Sequence, residues 1–137
     1  MMRSTDGRAL ARAHGVFNIL GGLWPLVSAR TFEAVFGRKT DRWLQQTTAG
    51  LLISVGWTQT RAATNAQWTH ARRIGMATAI TLFVIDLVYV PKGRISKTYL
   101  LDAAMEAGWL AAWARSFDAS SRRRSSAHAA KRGSRVA

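Results

Sequence analysis

Three carboxylic acids lie within otherwise apolar stretches of this sequence, and they are the residues best placed to do chemistry. Asp86 comes four residues before the end of the apolar run 74–90. Asp102 and Glu106 are four residues apart, so a helix would present both carboxyl groups on one face. If that helix packs antiparallel to the helix that carries Asp86, the three acids come together and can bind a cation or pass protons.

His14 and Asn18 have the same four-residue spacing in the first apolar stretch. A histidine that faces a carboxyl group forms a pair that titrates near neutral pH. Structural roles are the alternative for these polar residues. A protonated or paired Asp86 would only fix helix packing, Asp102 would be stabilised by the dipole at the start of its helix, and His14 would be a polar anchor.

Motifs for metal, redox or nucleophilic chemistry are missing from the sequence. The chain contains no cysteine, which excludes disulfides, cysteine-ligated zinc and iron–sulfur clusters. Its histidines, His14, His70 and His128, are too far apart for a short metal-binding motif. Gly-rich phosphate loops and the G-x-S-x-G pattern are also missing. The sequence therefore predicts no metal and no cofactor, and it does not indicate an enzyme.

Four apolar blocks must position these polar residues. The blocks span about 13–29, 43–60, 74–90 and 99–115. A short segment between the first two blocks places Phe32, Val35 and Phe36 on one helical face, which predicts an interfacial helix. Small residues recur four positions apart, as at Gly50 and Ser54, and this spacing lets helices approach closely in lipid. We therefore predict an all-α fold, a four-helix transmembrane bundle with one short interfacial helix.

Two features of the blocks leave alternatives open. The first block also fits a cleaved signal peptide, because basic residues precede it and the small-residue segment 27–29 ends it. All four blocks fall short of the roughly 20 residues that cross a typical hydrocarbon core. The helix ends must therefore include flanking residues, or the bilayer must become thinner around the protein.

Basic residues lie outside the apolar blocks. Lys and Arg number 20 against 7 Asp and Glu, for a net charge of +13. Most of them lie in the N-terminal segment 1–12, the loop after the second block and the tail 116–137, which predicts that both termini are cytoplasmic. The Ser/Arg/Ala-rich tail is predicted to be disordered. Its Arg122, Arg123 and Arg124 are candidate contacts for anionic lipid, whereas no folded basic face suits nucleic acid.

A resemblance to a known family rests on three stretches of the sequence. FNILGGLWPL, FEAVFGRKTDRWL and DLVYVPKGRISKTYLLDAAMEA resemble a family of small uncharacterised bacterial membrane proteins with four predicted helices. The resemblance covers the four blocks and not the tail. It implies a multi-pass protein of the bacterial inner membrane, but it implies no substrate and assigns no role to any residue.

These patterns favour a binding or accessory membrane protein, whose bundle holds a lipid, a hydrophobic ligand or a membrane partner. The many faces of small residues and the missing catalytic motifs support this hypothesis. The alternative is a proton- or cation-linked transporter or channel subunit that uses Asp86, Asp102 and Glu106. Expected partners are membrane lipids, with either a second copy of the chain or a membrane protein beside it.

Overall fold

The computed structural model is all-helical over the residues that it describes, 4–63 and 67–133. At 4–6, 68, 118–125 and 127–133 only the backbone is described. The helices are α1 (Ser4–Val27), α2 (Ala29–Phe36), α3 (Arg42–Ala62), α4 (Trp68–Tyr89) and α5 (Tyr99–Gly133).

The short helix α2 is defined at both ends by local chemistry. Ser28 precedes it, and its hydroxyl oxygen accepts a hydrogen bond from the backbone N–H of Thr31 at 3.4 Å. Gly37 follows it with a φ of 82°, and its N–H donates to the carbonyl of Glu33 at 2.8 Å. A positive φ favours glycine because glycine has no Cβ, so the chain turns away from the helix at this point.

The most extensive contact between helices is that of α1 with α3, and it depends on small residues at two points. A Cβ added to Gly22 would lie 2.5 Å from the carbonyl oxygen of Ala49, and one added to Gly15 would lie 2.8 Å from that of Gly56. These residues are seven apart on each helix, which is two turns. The predicted four-residue pattern does not mark this contact, because a Cβ added to Gly50 would meet no atom within 4 Å.

The bundle buries polar side chains and exposes many large apolar ones. Among the described residues, the buried hydrophobic side chains are alanines and Trp113, which is 0% exposed and clusters with Ala11, Ala63 and Ala71. The buried polar and charged residues are His14, Asn18, Gln59, Asp86 and Glu106, all at most 3% exposed. Val27, Trp43 and Trp57 are by contrast 81%, 69% and 61% exposed. Packing of polar groups therefore has an important part in holding the helices together.

The predicted transmembrane bundle is wrong. In the described part of the chain, no helix combines the length and the apolar character that a membrane crossing needs. In α4, for example, only twelve residues separate Arg73 from Asp86, fewer than the roughly 20 of a typical crossing. In α5, Asp102 and Glu106 occupy the first two turns. The predicted multi-pass location in the bacterial inner membrane, with both termini cytoplasmic, is corrected by the same finding.

The predicted disorder of the tail also differs from the structure. The helix α5 continues through 116–133, and 134–137 lie outside the described residues. Alanine and arginine are strong helix formers, and no proline interrupts this segment, so low hydrophobicity alone does not end the helix. Arg122, Arg123 and Arg124 lie on this part of α5, but their side chains are outside the described structure, so their predicted lipid contacts stay a prediction.

Candidate functional site

A buried hydrogen bond connects the first and last helices of the bundle. The indole N–H of Trp113 donates to Nδ1 of His14 at 3.0 Å, and both side chains are 0% exposed. Because an indole nitrogen can only donate, Nδ1 of His14 must accept, and the ring proton lies on Nε2. The imidazole also stacks on Trp109, with ring centroids 4.5 Å apart and an angle of 12° between the planes.

Nε2 of His14 points toward Glu106. It lies 4.0 Å from Oε2 of the carboxyl group, too far for a direct hydrogen bond. Burial lowers the pKa of His14 to about 4, so the imidazole is neutral at pH 7. Both Glu106 oxygens are buried and have no hydrogen-bond partner in the described structure. Glu106 is therefore a buried acid without a bound donor.

A second buried hydrogen bond connects α1 to α3. The side-chain amide of Asn18 donates to Oε1 of Gln59 at 3.1 Å. The fully buried side chains of His14, Asn18, Gln59 and Glu106 form a polar layer inside the bundle. Gly75 of α4 packs directly against this layer, since a Cβ there would lie 2.8 Å from Nδ1 of His14 and would collide with Nε2 of Gln59. The polar layer therefore needs a helix surface without a side chain at this position.

Asp86 and Asp102 form a coupled acid pair where α4 and α5 meet. Burial, the charge of Asp102 and a hydrogen bond to Asp102 together raise the pKa of Asp86 to about 7, although the charge of Lys39 acts to lower it. Burial also raises the pKa of Asp102, although the hydrogen bond with Asp86 opposes that change. The two acids therefore bind a shared proton more readily than isolated carboxyl groups do.

Glu106 belongs electrostatically to the same group of acids. Burial raises its pKa to about 7, and the charges of Asp102 and then Asp86 contribute in the same direction. Two neighbouring acids thus titrate near neutral pH, where a small change in their surroundings changes their charge.

Lys39 is the cation that acts on this acid group. Its ammonium lies 4.5 Å from the centroid of the Tyr99 ring. Burial lowers the pKa of Lys39, whereas the charges of Glu33 and Asp86 raise it. Burial, followed by the charges of Asp102 and Asp86, raises the pKa of Tyr99 to about 12, so the phenol is neutral. Lys39 is therefore a half-buried cation whose charge acts on Asp86 and on Glu33.

A cleft of about 970 Å³ opens beside the acids, between α1, the loop after α2, α3 and the start of α5. Its apolar lining includes Phe17, Leu20, Trp24, Phe36, Leu52 and Leu82. Its polar lining includes Asn18, Lys39, Asp102 and Glu106. An apolar cleft with a few polar groups at one place is the usual form of a small-molecule site.

The wall of this cleft is held by aromatic contacts and by a side-chain hydrogen bond. Trp24 packs edge-on against Phe32 and Phe36, at centroid distances of 5.7 and 5.8 Å. The indole N–H of Trp24 donates to the hydroxyl of Thr31 at 2.9 Å. Phe36 continues the row onto the Tyr99 ring at 4.8 Å. These contacts join α1, α2 and α5, so the wall is formed before a ligand arrives.

The structure brings the five predicted polar residues into two adjoining groups. His14, Asn18 and Glu106 belong to the buried polar layer, and Asp86 and Asp102 form the acid pair. Asp102 lies one helical turn before Glu106 on α5. In the described ranges, no group of three potential ligands is placed to hold a metal ion.

Sequence reasoning missed several residues of the site. They are Gln59, Gly75, Trp109, Trp113 and Lys39. A signal was present for Trp113, which is seven residues after Glu106 and so lies two turns along the same helical face. Gln59 is a polar residue in an apolar block, which is the same signal that identified Asn18.

Comparison with known proteins gives no relative from which to transfer a role. No protein-family model, no curated protein and no solved structure matches the chain. The resemblance of the sequence to a bacterial family and the expected partners therefore stay predictions.

Proposed function

We propose that this protein binds a small amphipathic molecule in the cleft. The observation that supports the proposal is that an apolar cleft of about 970 Å³ adjoins Glu106, a fully buried acid with no hydrogen-bond partner among the described residues. A volume of this order is near the upper end of the range for small-molecule sites. The apolar body of the ligand lies along the aromatic wall, and its polar group lies beside Asp102 and Glu106.

A ligand should bind in this cleft because buried polar atoms without hydrogen-bond partners destabilise the folded protein. A buried acceptor that gives up water and gains no donor destabilises the folded protein by roughly 1–3 kcal/mol. A ligand donor that reaches Glu106 removes this cost, and contact with Trp24 and Phe36 removes apolar ligand surface from water. Both effects favour an amphipathic ligand over a fully polar one.

This proposal keeps the binding role that the sequence suggests and limits it to one cleft. Catalysis is not part of this proposal. The alternative use of Asp86, Asp102 and Glu106, to pass protons or cations, stays a prediction.

The test compares two matched substitutions on α3. Leu52 lines the cleft, whereas its neighbour Leu51 is 63% exposed and does not line it. We expect Leu52→Trp to fill the cleft and to weaken binding of the neutral apolar dye Nile red at least about tenfold, which is a change of about 1.4 kcal/mol. Leu51→Trp adds the same volume outside the cleft and should leave the dye affinity unchanged.

Circular dichroism on both variants checks that they are folded, and decanol should displace the dye from the unsubstituted protein. Binding that does not saturate, or equal dye affinity in the two variants, would show that the dye adheres to exposed apolar surface and would overturn the proposal.

A further inference from the structure

We infer that the polar end of the ligand is a protonated amine held between Asp102 and Glu106. This inference rests on the proposed function and adds the chemical class of the ligand. The two acids are one helical turn apart on α5, and both line the cleft. A primary ammonium has three N–H donors and no acceptor, so it can donate to both carboxyl groups at once.

The state of Glu106 is the observation that points to a missing donor. Glu106 is 0% exposed, yet neither of its carboxyl oxygens has a partner among the described residues. Nε2 of His14, which also has no partner among the described residues, lies 4.0 Å from Oε2 of Glu106. A charged donor in the cleft would supply the bond that His14 does not make.

The charges that face this position favour a cation over an anion. Around it lie the acids of α4 and α5, namely Asp86, Asp102 and Glu106, together with the ammonium of Lys39 from the loop after α2. His14 of α1 and Tyr99 of α5 are neutral at pH 7.

Other basic residues lie on the outer rim of the cleft. Arg38 and Arg94 line it and are exposed, so water surrounds their charges, and Asp41 is an exposed acid on the same rim. A ligand carboxylate placed at the inner end would lie beside like charges. A ligand ammonium there is attracted to the acids instead.

Binding of an amine should therefore be linked to loss of protons from the acids. Burial and mutual repulsion raise the pKa of Asp86 and of Glu106 to about 7 in the empty protein. An ammonium stabilises the ionised carboxylates, so binding becomes stronger as the pH rises through 7. An alkylamine stays protonated in this range, because its pKa is close to the value of about 10.4 for lysine.

The experiment uses the full chain and three probes with the same apolar body: decylamine, decanol and decanoate. Displacement of Nile red at pH 7.5 should rank decylamine above decanol by about tenfold, with decanoate weakest. From pH 6 to pH 8 the affinity for decylamine should rise, whereas that for decanol should change little. Calorimetry in two buffers of different protonation enthalpy should show protons released on decylamine binding.

Two variants test which residues cause the preference for decylamine over decanol. Glu106→Gln and Asp102→Asn should bring the decylamine affinity close to the decanol affinity and leave decanol binding within about twofold. If Glu106→Gln fails to fold, the pH dependence of decylamine binding to the unsubstituted protein still tests whether the acids hold an amine.

The possible failures are distinguishable. If none of the three probes displaces the dye, the proposed function is wrong. If decanol binds but decylamine binds no better, or decanoate binds best, the cleft binds apolar molecules and the inference of an amine is wrong.

Discussion

Trp113 and His14 are 99 residues apart in the sequence, and the indole N–H of one donates to the imidazole of the other at 3.0 Å. Both side chains are 0% exposed. The bond fixes the neutral tautomer of His14 and holds its protonated nitrogen toward Glu106. A tryptophan on α5 thus determines the tautomer of a histidine on α1.

Removal of this bond should destabilise the protein more than removal of the neighbouring indole. Trp113→Phe leaves the buried Nδ1 of His14 without a donor, and we expect the free energy of unfolding to fall by about 1–3 kcal/mol beyond the loss of packing. Trp109→Phe is the matched control, because it keeps a ring stacked on His14. Urea unfolding followed by circular dichroism measures both. If both variants lose the same stability, the smaller ring alone explains the loss, and the hydrogen bond to His14 adds no measurable stability.

Glycine substitutions should separate close packing from helix propensity. Gly75→Ala places a Cβ 2.8 Å from Nδ1 of His14, and we expect it to destabilise the fold by about 1–3 kcal/mol. Gly108→Ala is the control, because a Cβ there meets no atom within 4 Å. It should stabilise α5 by roughly 0.5–1 kcal/mol, since glycine is unfavourable inside a helix. Thermal unfolding of the two variants should shift in opposite directions, and a stabilising Gly75→Ala would contradict the close approach of α4.

Stability should fall as the pH rises from about 4 to 7. Asp86 and Glu106 have pKa values of about 7 in the folded protein, against 3.8 and 4.5 as ordinary values. The folded state therefore holds more protons than the unfolded state in this range, and its stability decreases until both acids are ionised. His14 opposes this trend between about 4 and 6.5, because burial lowers its pKa to about 4 from 6.5. Because two acids lower the stability over this range and one histidine raises it, the net result is a decrease in stability.

Asp86→Asn tests the contribution of one acid to this pH dependence. The amide carries no charge, so we expect a smaller change in unfolding free energy between pH 5 and 8 than in the unsubstituted protein. At pH 8 the variant should be more stable by at least about 1 kcal/mol, because one unit of pKa shift corresponds to about 1.4 kcal/mol. Urea unfolding at a series of pH values measures the difference. An unchanged pH profile would show that Asp86 is not perturbed in the folded protein.

The helices were predictable from the sequence, but their contacts and their surroundings were not. Apolar blocks and local stop signals such as Gly37 indicate where helices lie, and the spacing of Asp102 and Glu106 places both on one face. The same apolar residues led to the wrong prediction of membrane crossing, because a block pattern does not count the charges within each helix. The bonds from Trp113 to His14 and from Asn18 to Gln59 depend on which helices become neighbours, and no local pattern carries that information.

Lys39 should compete with an amine ligand for the acids of the cleft. Its charge lowers the pKa of Asp86, and its side chain lines the same space. Lys39→Met keeps a long apolar side chain and removes the charge, so we expect decylamine to bind about three- to tenfold more tightly at pH 7.5. Lys92→Met is the matched control, because the ammonium of Lys92 also lies over a tyrosine ring, 5.5 Å from the centroid of Tyr89, but outside the cleft lining.

Displacement of Nile red by decylamine measures both lysine variants, and decanol serves as the uncharged reference. Loss of a like charge should strengthen only the binding of the amine, so the decanol affinity should stay the same in Lys39→Met. A variant that binds both probes more tightly would indicate a wider cleft rather than removal of repulsion. Weaker decylamine binding in Lys39→Met would show that the lysine assists the ligand and would contradict an amine between Asp102 and Glu106.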